Sequence, residues 1–333
     1  MATLLLDRAH LEVTCDGDAL ALYEGGVRRG SVPLKLLDRC VIQGASTRLD
    51  SGVLLKLAEA GVTTVLLSPR MQRRVALVLG PAHNDAGVRL AQSQRVLDDG
   101  HCRQWARDVV RAKLRRQRRV LARWQAARPD VRKPLTDAAA AVDRALQSLH
   151  DDAAAPALQQ LRGIEGAAAR AHFGGLAAVL PPALGFTGRN RRPPRDPANA
   201  LLSLGYTMLH VEAVQACHRA GVDPLLGYYH RPSIGRESMA SDLMEPLRPN
   251  VDHWVWQMLR DRSLRADHFT TDRGACLLGK AGRGIFYAAW ADAAQPWRRW
   301  LRGVAGGVAR QLRSAGDELL AGMADADDGD EAS

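Results

Sequence analysis

Residues 227–249 contain the side chains most able to do chemistry. The segment has one imidazole, His230, and two carboxylates three residues apart, Asp242 and Glu245. Divalent metal ions prefer hard oxygen ligands and commonly accept imidazole as well. The same segment holds three arginines suited to phosphate, namely Arg231, Arg236 and Arg248. The spacing favours a metal site beside a phosphate-binding surface. The alternative is a solvated helix face next to a hydrogen-bonded structural histidine.

The two carboxylates are predicted to lie together near the end of a helix. Residues three apart on a helix are neighbours, so Asp242 and Glu245 should point the same way. Ser238 is suited to cap the start of this helix, and Pro246 should kink or stop it.

A third candidate carboxylate, Glu165, lies far upstream. It stands between Gly163 and Gly166 in an apolar stretch of small residues. An acid in such a stretch is either tightly packed or closely approached by another group. The alternative is an ordinary surface glutamate opposite Arg162 or Arg170.

Residues 188–206 form a basic stretch rich in proline. The prolines predict an extended loop, and Asn199 is suited to cap a helix over 200–209. The arginines of this loop suit phosphate, because the guanidinium group is planar and always charged. They are Arg189, Arg191, Arg192 and Arg195.

A strongly basic helix is predicted farther upstream. Between Arg103 and Lys133 there are twelve bases and two acids. Six arginines recur at every fourth position from Arg103 to Arg123, and each such step drifts by about 40° around a helix. Phosphate contacts would relieve the repulsion among these charges, and we expect DNA contacts at Arg111, Arg115 and Arg119. A solvated face whose acids come from another segment explains the row equally well.

The composition narrows the class of protein. The chain has 333 residues, room for two domains, and a formal net charge of +10, which favours a polyanionic partner such as nucleic acid. An anionic membrane surface is the rival partner, but no stretch approaches the roughly 18 apolar residues of a membrane span. Five scattered cysteines without a Cys-x-x-Cys pair argue against structural zinc and disulfides. We therefore expect a protein of the reducing cytoplasm.

The order of the patterns predicts an α+β fold. Short apolar runs between turn residues indicate strands in the first 80 or so positions, interrupted by a helix over 51–60. From Gly87 onward, Ala, Leu, Arg and Gln recur at helical spacing. We expect a small, sandwich-like β-sheet domain over 1–82, a hinge at 83–87, a larger all-α catalytic domain over 88–322 and an acidic, disordered tail over 323–333.

Several of these blocks, in this order, resemble one known family. They are Gly-Ile-Glu-Gly-x-Ala-Ala-Arg around Glu165, the Arg-Asn-Arg-Arg-Pro-Pro loop, the Gly-x-x-His segment ending at His230, and Asp-Leu-Met-Glu-Pro-x-Arg-Pro from Asp242. Over roughly residues 3–315 the chain is similar to the catalytic endonuclease and integrase subunit of CRISPR spacer acquisition, the first-numbered Cas protein. Leu247 departs from the family, which often has Phe there.

The resemblance implies a site and a reaction. Glu165, His230 and Glu245 would bind Mg²⁺ or Mn²⁺, and Asp242 would assist catalysis by orienting a water or the attacking hydroxyl. The substrate would be double-stranded DNA, whose captured fragments are joined through their 3′-hydroxyl ends to a CRISPR repeat by transesterification. The arginines of the two basic segments would hold this DNA.

The resemblance also implies partners. A homodimer would act together with a small dimeric protein, the second-numbered Cas protein, and without a membrane. Two rival functions stay open, a stand-alone metal-dependent nuclease for branched DNA and a catalytically silent DNA-binding scaffold. A catalytic role for Tyr206 or Tyr229 also stays open, with core packing favoured.

Overall fold

The computed structural model describes residues 2–44, 46–68, 74–81, 83, 85–150, 155–190 and 193–330, with side chains of the last helix described as far as 323. The strands of this part are β1 Ala2–Leu6, β2 Leu11–Asp16, β3 Ala19–Glu24, β4 Val27–Pro33, β5 Leu37–Ile42, β6 Arg48–Leu49, β7 Thr63–Leu67, β8 Arg74–Val78, β9 Phe269–Asp272 and β10 Ala275–Leu278. The α-helices are α1 Ser51–Glu59, α2 Ala86–Leu97, α3 Asp99–Ala127, α4 Arg132–Gln147, α5 Leu158–Val179, α6 Pro197–Ala220, α7 Ser238–Met244, α8 Arg248–Arg260, α9 Lys280–Ala293 and α10 Gln295–Asp330.

The N-terminal region contains two four-stranded sheets. The first has the order β1-β5-β7-β8, with β1, β5 and β7 parallel and β8 antiparallel. The second has the order β4-β3-β2-β6, in which β2, β3 and β4 form an antiparallel meander. Alternate apolar residues of both sheets and of α1 share one buried core, including Leu6, Val13, Leu20, Cys40 and Leu57. This confirms the predicted β-sheet region before a mostly helical one.

The helical part is built around α3. Asp98 caps this helix, since its carboxylate accepts a hydrogen bond from the backbone N–H of His101 at 3.0 Å. Its buried face, with Leu114, Leu121 and Trp124, packs against α4, α5 and α8. Among the described residues, no helix is both long and apolar enough to cross a membrane.

The chain forms two compact units, each assembled from separate stretches. One contains Met1–Ala82, Asn190–Val211 and Asp261–Gln295, and the other contains His83–Arg189, Glu212–Arg260 and Pro296–Ser333. This differs from the continuous order of domains we predicted, because packing such as that of α9 on β1 joins residues far apart in sequence. The hairpin of β9 and β10 is a further element that helical periodicity did not predict.

The last helix also differs from expectation. The backbone of α10 continues to Asp330, through most of the acidic segment for which we predicted disorder. Extending a helix that is already formed costs far less than starting one, and the alanines of this segment favour the helix. Residues 331–333 lie outside the described part of the chain.

Candidate metal centre

Two of the predicted metal ligands meet at the ammonium group of Lys113, on α3. Lys113 Nζ donates a hydrogen bond to Glu165 Oε1, on α5, and another at 2.7 Å to Glu245 Oε2, just after α7. The third predicted ligand lies beside them, with His230 Nε2 at 3.9 Å from Glu245 Oε1. Lys113 and Glu245 are only 7% and 6% exposed. The helical unit therefore brings Glu165, His230 and Glu245 together.

Glu245 sits where the helix tightens. It begins a 3-10 turn, Glu245–Leu247, that joins α7 to α8. Pro246 has no N–H to donate, so the chain replaces one α-helical turn by a tighter one and continues directly into α8. The prediction that Pro246 kinks or stops the helix is confirmed, since α7 ends at Met244. The prediction that Ser238 caps its start is wrong, because Ser238 is the first residue of α7 and its Oγ donates to the carbonyl oxygen of Arg231 at 3.2 Å.

Asp242 anchors the loop that carries His230. Its carboxylate is fully buried and accepts backbone N–H groups from Tyr228, Tyr229 and His230, each at 2.8 Å. It also contacts His230 Nδ1 at 2.7 Å, which leaves Nε2 on the side of Glu245. The loop closes tightly here, since a Cβ on Gly227 would lie 2.5 Å from the carbonyl carbon of Ser238. These contacts hold the His230 loop and its imidazole in place. The water-orienting role that we expected for Asp242 stays a prediction.

The positive charges around Glu245 favour the ionised form of its carboxylate. Burial by itself would raise the pKa of Glu245, but Arg248, Lys113 and His230 outweigh it and hold that pKa well below its usual value. Burial would lower the pKa of Lys113, but Glu245 and Glu165 outweigh it and raise that pKa. The phenol of Tyr229 is buried, and burial together with Glu165 and Glu245 raises its pKa. The ring centroid of Tyr229 lies 4.8 Å from that of His230.

Two arginines of the 227–249 segment have structural partners. Arg248 Nε donates to Glu245 Oε1 at 2.8 Å. Arg231 donates to the carbonyl oxygen of Val96 at 2.7 Å and pairs with Asp99. These contacts fix Glu245 and tie the His230 loop to α2 and α3. DNA contact at Arg231 and Arg248 stays a prediction. Arg236 is exposed at the tip of the same loop.

The basic loop over 188–206 is only partly described. Asp196, rather than Asn199, caps α6, since its Oδ1 accepts the backbone N–H of Asn199 at 2.8 Å. Arg195 is exposed and Arg189 is half-buried. Arg191 and Arg192 lie outside the described residues. The segment from Asn190 belongs to the other unit, whereas Arg189 belongs to the unit that holds Lys113.

The arginine row of α3 does not form one continuous face. Arg103 is exposed, Arg107 is buried and Arg111 is half-buried, with its Nη1 3.9 Å from Asp108. Arg115, Arg119 and Arg123 are exposed again. Because the row drifts by about 40° per step, it crosses the packed side of the helix and then returns to the side that faces solvent. Arg115 and Arg119 thus stay candidates for DNA contact, while Arg111 is a weaker one.

Lys113 is the functional residue that sequence reasoning missed. It is the sole lysine in the sequence of α3, where every other basic residue except His101 is an arginine. This single lysine among arginines was the available signal, because the ammonium group of lysine is a compact point charge and the guanidinium group of arginine is broad and planar.

The donor set of the site suits a divalent cation. Within the described part of the chain, no three His, Cys, Asp or Glu side chains already converge closely enough to hold a metal ion. The two carboxylates do converge on one cation, the ammonium of Lys113, with the imidazole Nε2 beside Glu245. Carboxylate and imidazole together are ligands for Mg²⁺ and Mn²⁺. The residues therefore fit such an ion in its chemistry, provided that Lys113 gives up its place.

Comparison with known proteins decides the family. The family model described as CRISPR associated protein Cas1 matches residues 4–292. The chain belongs to the Cas1 family. It is 35% identical over 94% of its length to a CRISPR-associated endonuclease Cas1 of Thermodesulfovibrio yellowstonii, 97% of which is covered. It is 37% identical over 85% of its length to another from Rhodospirillum rubrum, 83% of which is covered.

Solved structures share the Cas1 fold. A casposase bound to its integration product has a TM-score of 0.81 at 20% identity, covering 94% of this chain and 91% of the casposase. A Cas1 protein of Thermotoga maritima has a TM-score of 0.79 at 19% identity, covering 94% and 97%. A Cas6-RT-Cas1–Cas2 complex has a TM-score of 0.75 at 24% identity, covering 96% of this chain and 35% of that one. Since these identities are low, the similarity supports the fold alone.

Proposed function

We propose that this chain is a metal-dependent DNA endonuclease and integrase of CRISPR adaptation. The observation that carries the proposal is the meeting of Glu165 and Glu245 at Lys113, with His230 beside Glu245, in a chain of the Cas1 family. The relatives are named endonucleases, and a structure of the same fold is a casposase bound to an integration product. Mg²⁺ or Mn²⁺ is the cofactor that the donor set suits.

The roles of the side chains follow from their contacts. Glu165, Glu245 and His230 Nε2 would hold the metal, which polarises the scissile phosphate and stabilises the leaving oxygen when bound. Asp242 orients the imidazole through Nδ1, as carboxylate partners of metal-bound histidines commonly do. Arg248 holds Glu245 from the other side. The 3′-hydroxyl of a captured fragment would attack a phosphodiester of the CRISPR repeat and lose its proton. A new phosphate ester would form as the bond from that phosphate to the 3′-oxygen of the repeat strand breaks, and this oxygen would take up a proton.

The DNA and protein partners belong to the same proposal. The exposed Arg236, Arg195, Arg115 and Arg119 would hold double-stranded DNA through its phosphates. The chain would act as a homodimer together with a dimeric Cas2-type protein. The Cas2-type partner is supported by the similarity to a chain of a Cas6-RT-Cas1–Cas2 complex.

A strand-joining assay tests the proposed function. Wild-type protein, its purified partner, MnCl₂ and a labelled DNA fragment should yield fragment joined to repeat DNA. Glu245→Ala should reduce joining by at least about a hundredfold, because it removes a metal ligand. Glu318→Ala, which removes an exposed carboxylate of α10, serves as the control.

The same assay separates the rival functions. Cutting of branched DNA without joining would indicate a stand-alone nuclease. Joining that Glu245→Ala leaves unchanged would contradict the assigned site, and DNA binding with neither reaction would indicate a scaffold.

A further inference from the structure

Lys113 occupies the space between two carboxylates that the proposed function assigns to a metal. Its Nζ donates to Glu165 Oε1 and, at 2.7 Å, to Glu245 Oε2. An ammonium group has three N–H donors and no acceptor, so it neutralises carboxylates without binding a cation itself. The side chain of Lys113 is 9% exposed, and that of Glu245 is 7% exposed. The pair is therefore shielded from water, and the interaction between its charges is stronger there than it would be in solvent.

A divalent ion and this ammonium group cannot share that space. An ion bound by both carboxylates would take the place of Nζ between them, where like charges in a partly buried site repel strongly. A carboxylate oxygen that points at Nζ must also turn toward the metal. Binding of the ion therefore requires Lys113 to withdraw from at least one carboxylate.

Removal of the ammonium group would leave the buried carboxylate of Glu245 facing the half-buried carboxylate of Glu165. The two come from different helical segments, and both are held toward Nζ. Arg248 also pairs with Glu245, but the like charges of the two carboxylates repel when no cation lies between them. In the metal-free protein that cation is Lys113.

We propose that Lys113 is a built-in cation that holds Glu165 and Glu245 together in the metal-free protein and competes with the divalent metal for them. This inference rests on the proposed function, since it concerns the same metal site. Lys113 is a positioning residue in this account, because it acts through the two carboxylates. The affinity for the metal is then set by how much more strongly the divalent ion binds the two carboxylates than the ammonium group of Lys113 does.

Manganese binding by Lys113→Met tests the proposal. The substitution keeps a side chain of similar length and removes the charge. Binding of MnCl₂ to the full-length chain is measured from the electron paramagnetic resonance signal of free Mn²⁺. We expect Lys113→Met to bind Mn²⁺ at least about tenfold more tightly than wild type, since a repelling charge is lost. Its melting temperature in EDTA should fall by several degrees, and MnCl₂ should restore more of it than in wild type.

Two further variants serve as controls. Lys133→Met removes an exposed lysine that pairs with Asp137 on α4, and it should change neither manganese affinity nor the melting temperature. Lys113→Arg keeps the positive charge, so it should bind Mn²⁺ no more tightly than wild type. Lys113→Arg also decides the matter if Lys113→Met does not fold, because a tenfold gain in affinity with the charge retained would overturn the proposal.

The outcomes separate this inference from the proposed function. The metal site is supported if wild type binds Mn²⁺ and Glu245→Ala does not. If Lys113→Met then binds Mn²⁺ no more tightly than wild type, the proposal that Lys113 competes with the metal is wrong. If neither wild type nor Lys113→Met binds Mn²⁺, the metal site and the competition are both overturned.

Discussion

At the scale of single residues, Asp242 shows how one buried carboxylate positions a loop. Its two oxygens accept three backbone N–H groups and contact His230 Nδ1. The loop that carries His230 is also held by the buried rings of Tyr228 and Tyr229. The carboxylate of Asp242 adds to this order, and the three N–H groups compensate for its burial.

Asp242→Asn should therefore lower stability as well as activity. The amide NH₂ cannot accept hydrogen bonds, so at least one buried N–H group loses its acceptor, at a cost of about 1–3 kcal/mol. Urea denaturation measures the loss. Asp143→Asn, which changes a half-buried carboxylate paired with Arg118 near the surface, should cost no more than about 1 kcal/mol. Equal stability of Asp242→Asn and wild type would contradict the anchoring task.

The sequence predicted part of this site and missed the rest for a physical reason. Glu165, His230 and Glu245 were predicted as metal ligands because each stands in a block that resembles the Cas1 family. Lys113 was not, because its two partners lie 52 and 132 residues away and nothing local marks the contact. Arg231 and Arg248 were assigned to DNA from charge alone, whereas their partners appear only in the folded chain.

At the scale of elements, α3 has two tasks on different sides. Its packed side carries Lys113 to the centre of the helical unit, and its solvent side carries the exposed arginines. Helical periodicity predicted the helix and its charge, since both are local. Which arginines become buried depends on where α4, α5 and α8 pack, and that information is not local.

Charge reversal on α3 tests its solvent side. The double variant Arg115→Glu, Arg119→Glu should bind DNA more weakly, and the slope of log affinity against log salt should fall in magnitude by about 1.8 for two lost phosphate contacts. Fluorescence anisotropy at several salt concentrations measures both. The double variant Lys133→Glu, Arg144→Glu makes the same charge change on exposed positions of α4 and should have a smaller effect. If affinity and slope both stay at wild-type values, this side of α3 serves a protein interface instead.

At the scale of the whole molecule, the helical unit depends on a close crossing of its first and last helices. A Cβ on Gly316, in α10, would lie 2.4 Å from the carbonyl carbon of Gly87, in α2. The atoms that the added Cβ would meet belong to the backbone of Gly87, so the clash cannot be relieved by a side chain that moves aside. Sequence patterns did not reveal this crossing, because 229 residues separate the two glycines.

Gly316→Ala should consequently destabilise the protein. The two helices would have to move apart, at a cost of about 1–3 kcal/mol typical of overpacking. Gly322→Ala lies on the same helix with open space around it, and it should be neutral or stabilise by up to about 1 kcal/mol. Thermal unfolding of the two variants beside wild type makes the comparison. A Gly316→Ala protein as stable as Gly322→Ala would show that α2 and α10 do not cross this closely.

Anomalous X-ray scattering at the manganese edge would locate an ion held by Glu165, His230 and Glu245 together. Crystals grown with MnCl₂ should show a peak within about 2.0–2.3 Å of both carboxylates and of His230 Nε2. The ammonium group of Lys113 should have moved away from at least one of the two glutamates. A peak held by other residues, or none at this site with manganese present in excess, would contradict the account.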